Sequence, residues 1–211
     1  MEPPLTPLRF LVLGTALASA GSLVYLVWRT RSVGDRPLNS APAGKRWPGV
    51  VHAFGRDMLP WEKESIRLNP LTFLGGALYH LGVFVGVLYV LVRVLLPGVH
   101  LPAVALRLAV AVGVLAGLAL LLKRVVKPEL RVLSVPDDYG ANLMVDAFLL
   151  LALAESYIPR LEPVLLVWVS LLFLYVPVGK IRHCFFFFYT RILYGAFLGR
   201  RGVFPPPSAR V

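Results

Sequence analysis

Two histidines lie inside apolar stretches of this chain, and imidazole is a side chain that ligates iron. His80 falls within the apolar segment 71–96, and His183 falls near the end of the apolar segment 164–189. An ionisable side chain is costly inside a membrane, so each histidine is a candidate functional residue. A single such histidine can equally donate a hydrogen bond to a neighbouring helix, but two at similar depth favour a shared ligand. We therefore expect both to be axial ligands of one haem iron.

The depths of the two histidines are compatible with this role. If segment 71–96 rises from the inner membrane face at Leu71, His80 lies about 14 Å from that face at ~1.5 Å per residue. If segment 164–189 is one helix that ends near Tyr189, His183 lies about 9 Å from the same face. Both would then lie in the inner half of the membrane and could face each other across a haem.

Small and basic residues flank the predicted ligands. Gly76 and Gly179 each precede a histidine by four residues, so each lies one turn away on the same helical face, where a haem ring could approach. Close helix packing explains these glycines equally well, as it does the pair Gly82 and Gly86. The cations that we expect to contact the haem propionates are Lys180, Arg182 and Arg191. The alternative is that these cations only anchor the chain at the inner face.

The composition predicts how these residues are held. The chain has 211 residues, of which 57% are hydrophobic and 16% charged. Several apolar runs reach the roughly 20 residues needed to cross a bilayer, and an open sheet cannot satisfy its backbone in lipid. We predict an all-α membrane protein, a five-transmembrane-helix bundle that forms a single membrane domain over 1–211. The predicted spans are 8–28, 71–96, 101–122, 141–157 and 164–189.

The basic residues predict the orientation of this bundle. Segments 29–69, 123–140 and 177–211 hold eight, four and six Lys and Arg, which is eighteen of the 22. Five spans with the N-terminus outside and the C-terminus cytoplasmic place all eighteen on one face, as the positive-inside rule requires. The linker 29–69 and the tail 190–211 are then cytoplasmic. The net charge of +11 therefore indicates topology rather than nucleic-acid binding.

The first apolar run has features of both a retained helix and a signal peptide. Its residues 16–20 resemble a signal-peptide cleavage site, but the apolar run continues to Trp28, which favours a retained first helix.

The single cysteine, Cys184, limits the cofactors that this chain can hold alone. One thiol excludes an internal disulfide and a cysteine-ligated iron–sulfur cluster, and no CxxCH motif for covalent haem attachment is present. We expect Cys184 to be a packed apolar residue rather than a ligand. Any haem is therefore predicted to be b-type, and any cluster must belong to a partner.

The motifs around the two histidines resemble a membrane cytochrome b family, that of the respiratory nitrate reductase gamma subunit. Its members include subunits associated with heterodisulfide reductases and with dissimilatory sulfite reduction. The resemblance lies in 78–86, 179–184, 60–65 and 135–139, and the last two stretches are more similar to the sulfur- and heterodisulfide-linked branch. It covers about two thirds of the chain, 60–195.

The resemblance implies one haem rather than two. The nitrate reductase subunit holds two haems with two histidines on each of the two helices. Here Val90 and, approximately, Leu165 stand at the second positions, and neither can ligate iron. Only the inner haem, with His80 and His183, is expected.

The loss of the outer haem leaves the position of the quinone site open, because the family's quinol site lies beside that haem. The polar candidates for quinone contact are Tyr79, Tyr89, Arg93, Arg107 and Asp146. Asp146 is the candidate proton acceptor, and its alternative role is an ion pair with a basic residue at the inner face.

The function that the resemblance implies is a mono-haem b-type subunit of a respiratory oxidoreductase complex in a prokaryotic cytoplasmic membrane. It would pass electrons between the quinone pool, for example menaquinone, and iron–sulfur and catalytic subunits at the cytoplasmic face. In that case the chain is the quinol-oxidising or quinone-reducing subunit of the complex. The alternative is a haem-free membrane anchor or small transporter with structural histidines.

Overall fold

The computed structural model describes residues 7–34, 40–96, 98–99 and 101–205, and these residues form helices and no strand. The α-helices of this described part are α1 (Pro7–Ser32), α2 (Arg46–Phe54), α3 (Glu64–Leu68), α4 (Pro70–Leu95), α5 (Ala103–Val126), α6 (Pro128–Leu133), α7 (Pro136–Glu155), α8 (Glu162–Tyr175) and α9 (His183–Arg200). Pro70, Pro128 and Pro136 are each the first residue of a helix, where the missing N–H of proline costs little.

Three of these helices are long and apolar enough to cross a membrane. They are α1, α4 and α5, of 26, 26 and 24 residues, and the number rises to four if α8 and α9 count as one broken span. The first three predicted spans agree with α1, α4 and α5 to within four residues at each end. The all-helical class and the apolar, bilayer-compatible helices are therefore confirmed.

The predicted span over 164–189, in which Pro177 is expected to kink the helix, is divided between two helices. The helix α8 ends at Tyr175, a turn follows, and a 3-10 turn over Lys180–Arg182 leads into α9. Pro177 lacks the N–H that would continue the helix. The ring of Tyr175 packs on Gly179, where any side chain would collide with it, and the Gly179 N–H donates to the Tyr175 carbonyl at 2.8 Å.

This break changes the position of the second predicted haem ligand. His183 is the first residue of α9 rather than a residue within one continuous helix. The depth of about 9 Å obtained from a single helix therefore does not apply to it. The helix α9 also continues to Arg200, well into the predicted tail 190–211.

The described parts of 1–23 and 71–181 form one compact unit, unit 1. Its core is built from apolar side chains of the first half of α1 and of α4, α5, α7 and α8. Among the most deeply buried are Val12, Val94, Val110, Leu149, Leu165 and Val169. Glycines bring α4 close to its neighbours: a Cβ on Gly82 would lie 2.5 Å from the Gly113 Cα, and Gly86 faces Phe148.

Close packing, one of the two expected roles of the Gly82 and Gly86 pair, is thus the role that unit 1 shows. Each glycine lets a neighbouring helix approach at a distance that a side chain would prevent.

The described parts of 24–70 and 182–211 form the second compact unit, unit 2. Here α2 crosses α9 through glycine contacts, and a Cβ on Gly49 would lie 2.5 Å from the Gly199 Cα. Ala53 is completely buried, and Val50 is 8% exposed. The predicted linker 29–69 therefore contains the helices α2 and α3 in its described part, and α2 packs on α9.

Candidate functional site

His80 lies near the middle of α4 and is exposed on the surface of that helix. Its Nδ1 lies 2.7 Å from the carbonyl oxygen of Gly76, one turn earlier. Since a carbonyl only accepts hydrogen bonds, Nδ1 is the donor in this contact. Metal-binding histidines are commonly oriented by this kind of N–H to carbonyl hydrogen bond. The ring of Phe84 lies 6.4 Å from the imidazole, centroid to centroid.

His183 opens α9 in unit 2 and is also an exposed residue. Because His80 belongs to unit 1 and His183 to unit 2, their pairing on one iron stays a prediction. Cys184, the next residue, is exposed as well.

The two glycines beside the histidines have different surroundings. A Cβ placed on Gly76 would meet nothing within 4 Å, so the helix surface one turn from His80 is open to a flat ring. The space that Gly179 leaves is filled by the ring of Tyr175, whose hydroxyl donates to the Asp137 carboxylate of α7. Gly179 therefore has a packing role inside unit 1, and its haem contact stays a prediction.

Two of the three predicted propionate partners already contact carboxylates. Lys180 Nζ lies 2.7 Å from Asp138 Oδ1, and Arg191 Nη1 lies 2.7 Å from Asp57 Oδ2. The hydrogen bond from Lys180, followed by one from a backbone N–H, lowers the pKa of Asp138 below its ordinary value. Arg182 instead lines a cavity in unit 2.

The positions that would ligate a second haem are occupied by core side chains. Val90 is 3% exposed and Leu165 is 2% exposed, and both belong to the apolar core of unit 1. The residues present fit one haem at His80 and offer no ligand at the second positions.

Asp146 lies at the centre of a buried polar group, the Asp146 cluster, which consists of Tyr79, Gly117, Asn142 and Asp146. The Asn142 side chain donates to Asp146 Oδ2 at 2.8 Å and to the Tyr79 hydroxyl at 3.3 Å. Gly117 lies directly against the carboxyl group and the Tyr79 ring.

The Asp146 carboxyl is not paired with a cation. It makes no ion pair within the described ranges, and its Oδ1 is buried there without a hydrogen-bond partner. The alternative expectation of an ion pair at the inner face is therefore not seen, and Asn142 takes that place.

A second buried polar group joins four helices of unit 1 and was not predicted. This Glu155 cluster consists of Arg9 of α1, Tyr89 and Arg93 of α4, Glu155 of α7 and Glu162 of α8. Glu162 accepts from Arg9 at 2.9 Å and from Arg93 at 3.3 Å, and Arg93 also lies 3.0 Å from Glu155. The Tyr89 hydroxyl donates to Glu155.

The sequence contains a signal for this cluster. Arg9 and Arg93 are two of the four basic residues that lie outside the three basic segments predicted to face the cytoplasm. Glu155 and Glu162 lie where two neighbouring apolar segments end and begin. Charges of opposite sign at the same end of several spans pair readily, because an unpaired charge there is costly.

The Glu155 cluster adjoins a cavity of about 200 Å³. The cavity is lined by Tyr89, Val92, Arg93, Val99, Leu101, Ala103, Leu106 and Ser156. Arg107 reaches Ser156 as well, donating from Nε to its hydroxyl at 3.3 Å, and its guanidinium stacks 4.0 Å from the Tyr157 ring centroid. The five quinone candidates thus fall into two separate places, with Tyr89, Arg93 and Arg107 here and the other two in the Asp146 cluster.

No protein-family model, curated protein or solved structure matches this chain.

Proposed function

We propose that this chain is a mono-haem b-type membrane cytochrome subunit of a respiratory oxidoreductase complex. It exchanges electrons between the quinone pool and an iron–sulfur partner docked at the cytoplasmic face of a prokaryotic membrane. When bound, the haem supplies reversible one-electron chemistry, and the chain supplies its ligands and orientation.

The observation that carries this proposal is the environment of His80. A polar ring is exposed midway along a 26-residue apolar helix, which is costly if lipid alone covers it. Its Nδ1 lies against the Gly76 carbonyl, the kind of hydrogen bond that orients metal-binding histidines. The open surface at Gly76 adds room for a flat ring on the same face.

The remaining haem contacts follow from the side chains near the two histidines. His183 is the second axial ligand, at the first turn of α9. Since Lys180 and Arg191 are paired with carboxylates, Arg182 is the foremost propionate partner, and the other two serve only by exchanging partners. Val90 and Leu165 limit the cargo to one haem.

The proposed topology has five membrane-crossing segments, with the N-terminus outside and the C-terminus cytoplasmic. The charge distribution supports it, because eighteen of the 22 basic residues then share one face. Three of the other four, Arg9, Arg93 and Arg107, contact acidic or polar partners in unit 1. The helix α8 is about 21 Å long, so the fifth crossing requires residues beyond Tyr175.

The quinone head group has two possible places in unit 1, and the cavity beside the Glu155 cluster is the one with room for a ring. Arg93 Nε is buried there without a hydrogen-bond partner in the described part of the chain and can donate to a quinone carbonyl. Asp146, in the separate Asp146 cluster, stays the candidate proton acceptor, since it makes no ion pair within the described residues and its Oδ1 is buried there without a hydrogen-bond partner.

The test is the reduced-minus-oxidised spectrum of the purified full chain, together with haem quantification. We expect a reducible b-type spectrum with one haem per chain, lost in His80→Ala and in His183→Ala. His52→Ala, which alters a half-buried histidine of α2, is the matched control and should keep the spectrum. A chain without haem refutes the proposal and leaves the haem-free anchor. A spectrum that survives both substitutions refutes the two proposed ligands. Two haems per chain would contradict the single pair of ligands.

A further inference from the structure

Unit 2 contains a cleft, and Arg182 is the one residue of its lining to which the haem proposal gives a role. It is lined by two arginines, a threonine and three apolar side chains, and has a volume of about 390 Å³. The residues of this Arg182 cleft are Leu26, Arg29, Thr30, Val33, Arg182 and Phe186. Among the described residues that line it, the two arginines are charged and none is acidic.

The polar wall of the cleft is suited to a phosphate. Arg29 and Thr30 come from the last turns of α1, and Arg182 is the residue that precedes the first turn of α9. Guanidinium groups bind phosphate oxygens through two parallel N–H donors. The positive end of the 18-residue helix α9 adds to the attraction, because no side chain caps it and its first turn has no acid.

The apolar wall and the position of the cleft indicate a lipid rather than a free anion. Leu26, Val33 and Phe186 line the cleft beside the arginines, so the site has the two-sided character of an amphiphile. Tyr25, one turn before Arg29, and Trp28, the residue before it, are exposed, with ring centroids 5.9 Å apart. Exposed aromatic rings next to the basic end of an apolar helix are typical of the headgroup level of a membrane.

We propose that the Arg182 cleft binds the phosphate of an anionic phospholipid. Arg29 and Arg182 hold the phosphate oxygens, and the apolar wall contacts the first part of an acyl chain. Thr30 only lines the cleft, because its hydroxyl donates to the Val27 carbonyl at 2.8 Å. A guanidinium that holds a lipid phosphate is not available to a propionate, so this assignment replaces the propionate role of Arg182 and leaves the two proposed haem ligands unchanged.

The experiment is native mass spectrometry of the delipidated full chain, titrated with phosphatidylglycerol in detergent. Each of Arg29→Gln and Arg182→Gln should weaken binding about fivefold, the factor that corresponds to the ~1 kcal/mol of an interfacial basic residue. Arg31→Gln is the matched control, because Arg31 lies on the same turn of α1 and outside the cleft, stacked 5.6 Å from the Tyr189 ring centroid. The control should retain phosphatidylglycerol binding, and circular dichroism should show that all three variants are folded.

Three further results decide between possible occupants. Phosphatidylcholine with the same acyl chains should bind more weakly than phosphatidylglycerol, and equal binding overturns the proposal. Inorganic phosphate at millimolar concentration should not displace the lipid, and full displacement would identify a free-phosphate site. If Arg29→Gln and Arg182→Gln lower haem content while lipid retention is unchanged, the cleft holds a propionate and the lipid proposal fails.

Discussion

The Glu155 cluster allows a sharp prediction about what holds unit 1 together. Glu155 has only 1% of its side chain exposed and contacts Arg93 at 3.0 Å and the Tyr89 hydroxyl. Replacing Glu155 with Ala leaves the half-buried Arg93 guanidinium and the buried Tyr89 hydroxyl without this acceptor. Breaking a buried ion pair from one side costs about 3–5 kcal/mol.

The expected loss for Glu155→Ala lies at the lower end of this range, about 3 kcal/mol, because Arg93 keeps Glu162 at 3.3 Å. Glu155→Gln retains a neutral acceptor and should cost about 1–2 kcal/mol, the difference between charged and neutral hydrogen bonds. Tyr89→Phe should lower the free energy of unfolding less in the Glu155→Ala variant than in the wild type, because in that variant the Tyr89 hydroxyl has already lost its acceptor.

The assay is unfolding of the purified chain in mixed micelles with increasing sodium dodecyl sulfate, followed by far-UV circular dichroism. Glu129→Ala is the matched control, because Glu129 is an exposed acid of α6 and should change stability by less than about 0.5 kcal/mol. If Glu155→Ala is no more destabilising than Glu129→Ala, the cluster is not a structural tie between the helices.

Two further predictions concern other parts of unit 1. Gly117→Ala should destabilise the chain by about 1–3 kcal/mol in the same assay, since its Cβ would collide with Asp146, whereas Gly75→Ala meets its nearest neighbour at 3.6 Å and should be neutral. Lys180→Met should reduce stability at neutral pH, and this deficit should vanish in acid. The reason is that a carboxyl whose pKa is lowered in the folded state stabilises the fold at pH values above its unfolded-state pKa, about 3.9 for Asp. This stabilisation is lost as the pH falls through the folded-state pKa of Asp138. Melting curves between pH 7 and pH 2 test this, and a deficit that persists at pH 2 contradicts the pairing.

The end of α8 at Tyr175 is a feature that the sequence does not predict. Pro177 predicts a disturbance of the helix, but a kink and a complete break have the same local signal. The contact of the Tyr175 hydroxyl with Asp137, 38 residues earlier, favours the break, and the ring fills the space at Gly179. These contacts depend on the packing of α7 against α8, which no local pattern contains.

The charged residues show the same limit. The sequence separates the inner-face cations from Arg9 and Arg93, but it does not show which carboxylates they meet. Arg93 and Glu155 are 62 residues apart, and Arg9 and Glu162 are 153 apart. Likewise, the sequence predicts three propionate cations, whereas the structure assigns Lys180 a carboxylate partner in Asp138.

The sequence by itself determined the all-helical class and the extents of α1, α4 and α5, because helix formation in lipid follows from local length and hydropathy. It also placed His80 in the middle of a long apolar helix. Only the tertiary structure decided that α8 ends at Tyr175, that His183 begins a separate helix, and that Glu155 is the buried centre of an ion network. Those features depend on side chains that are distant in the chain, and only packing brings them together.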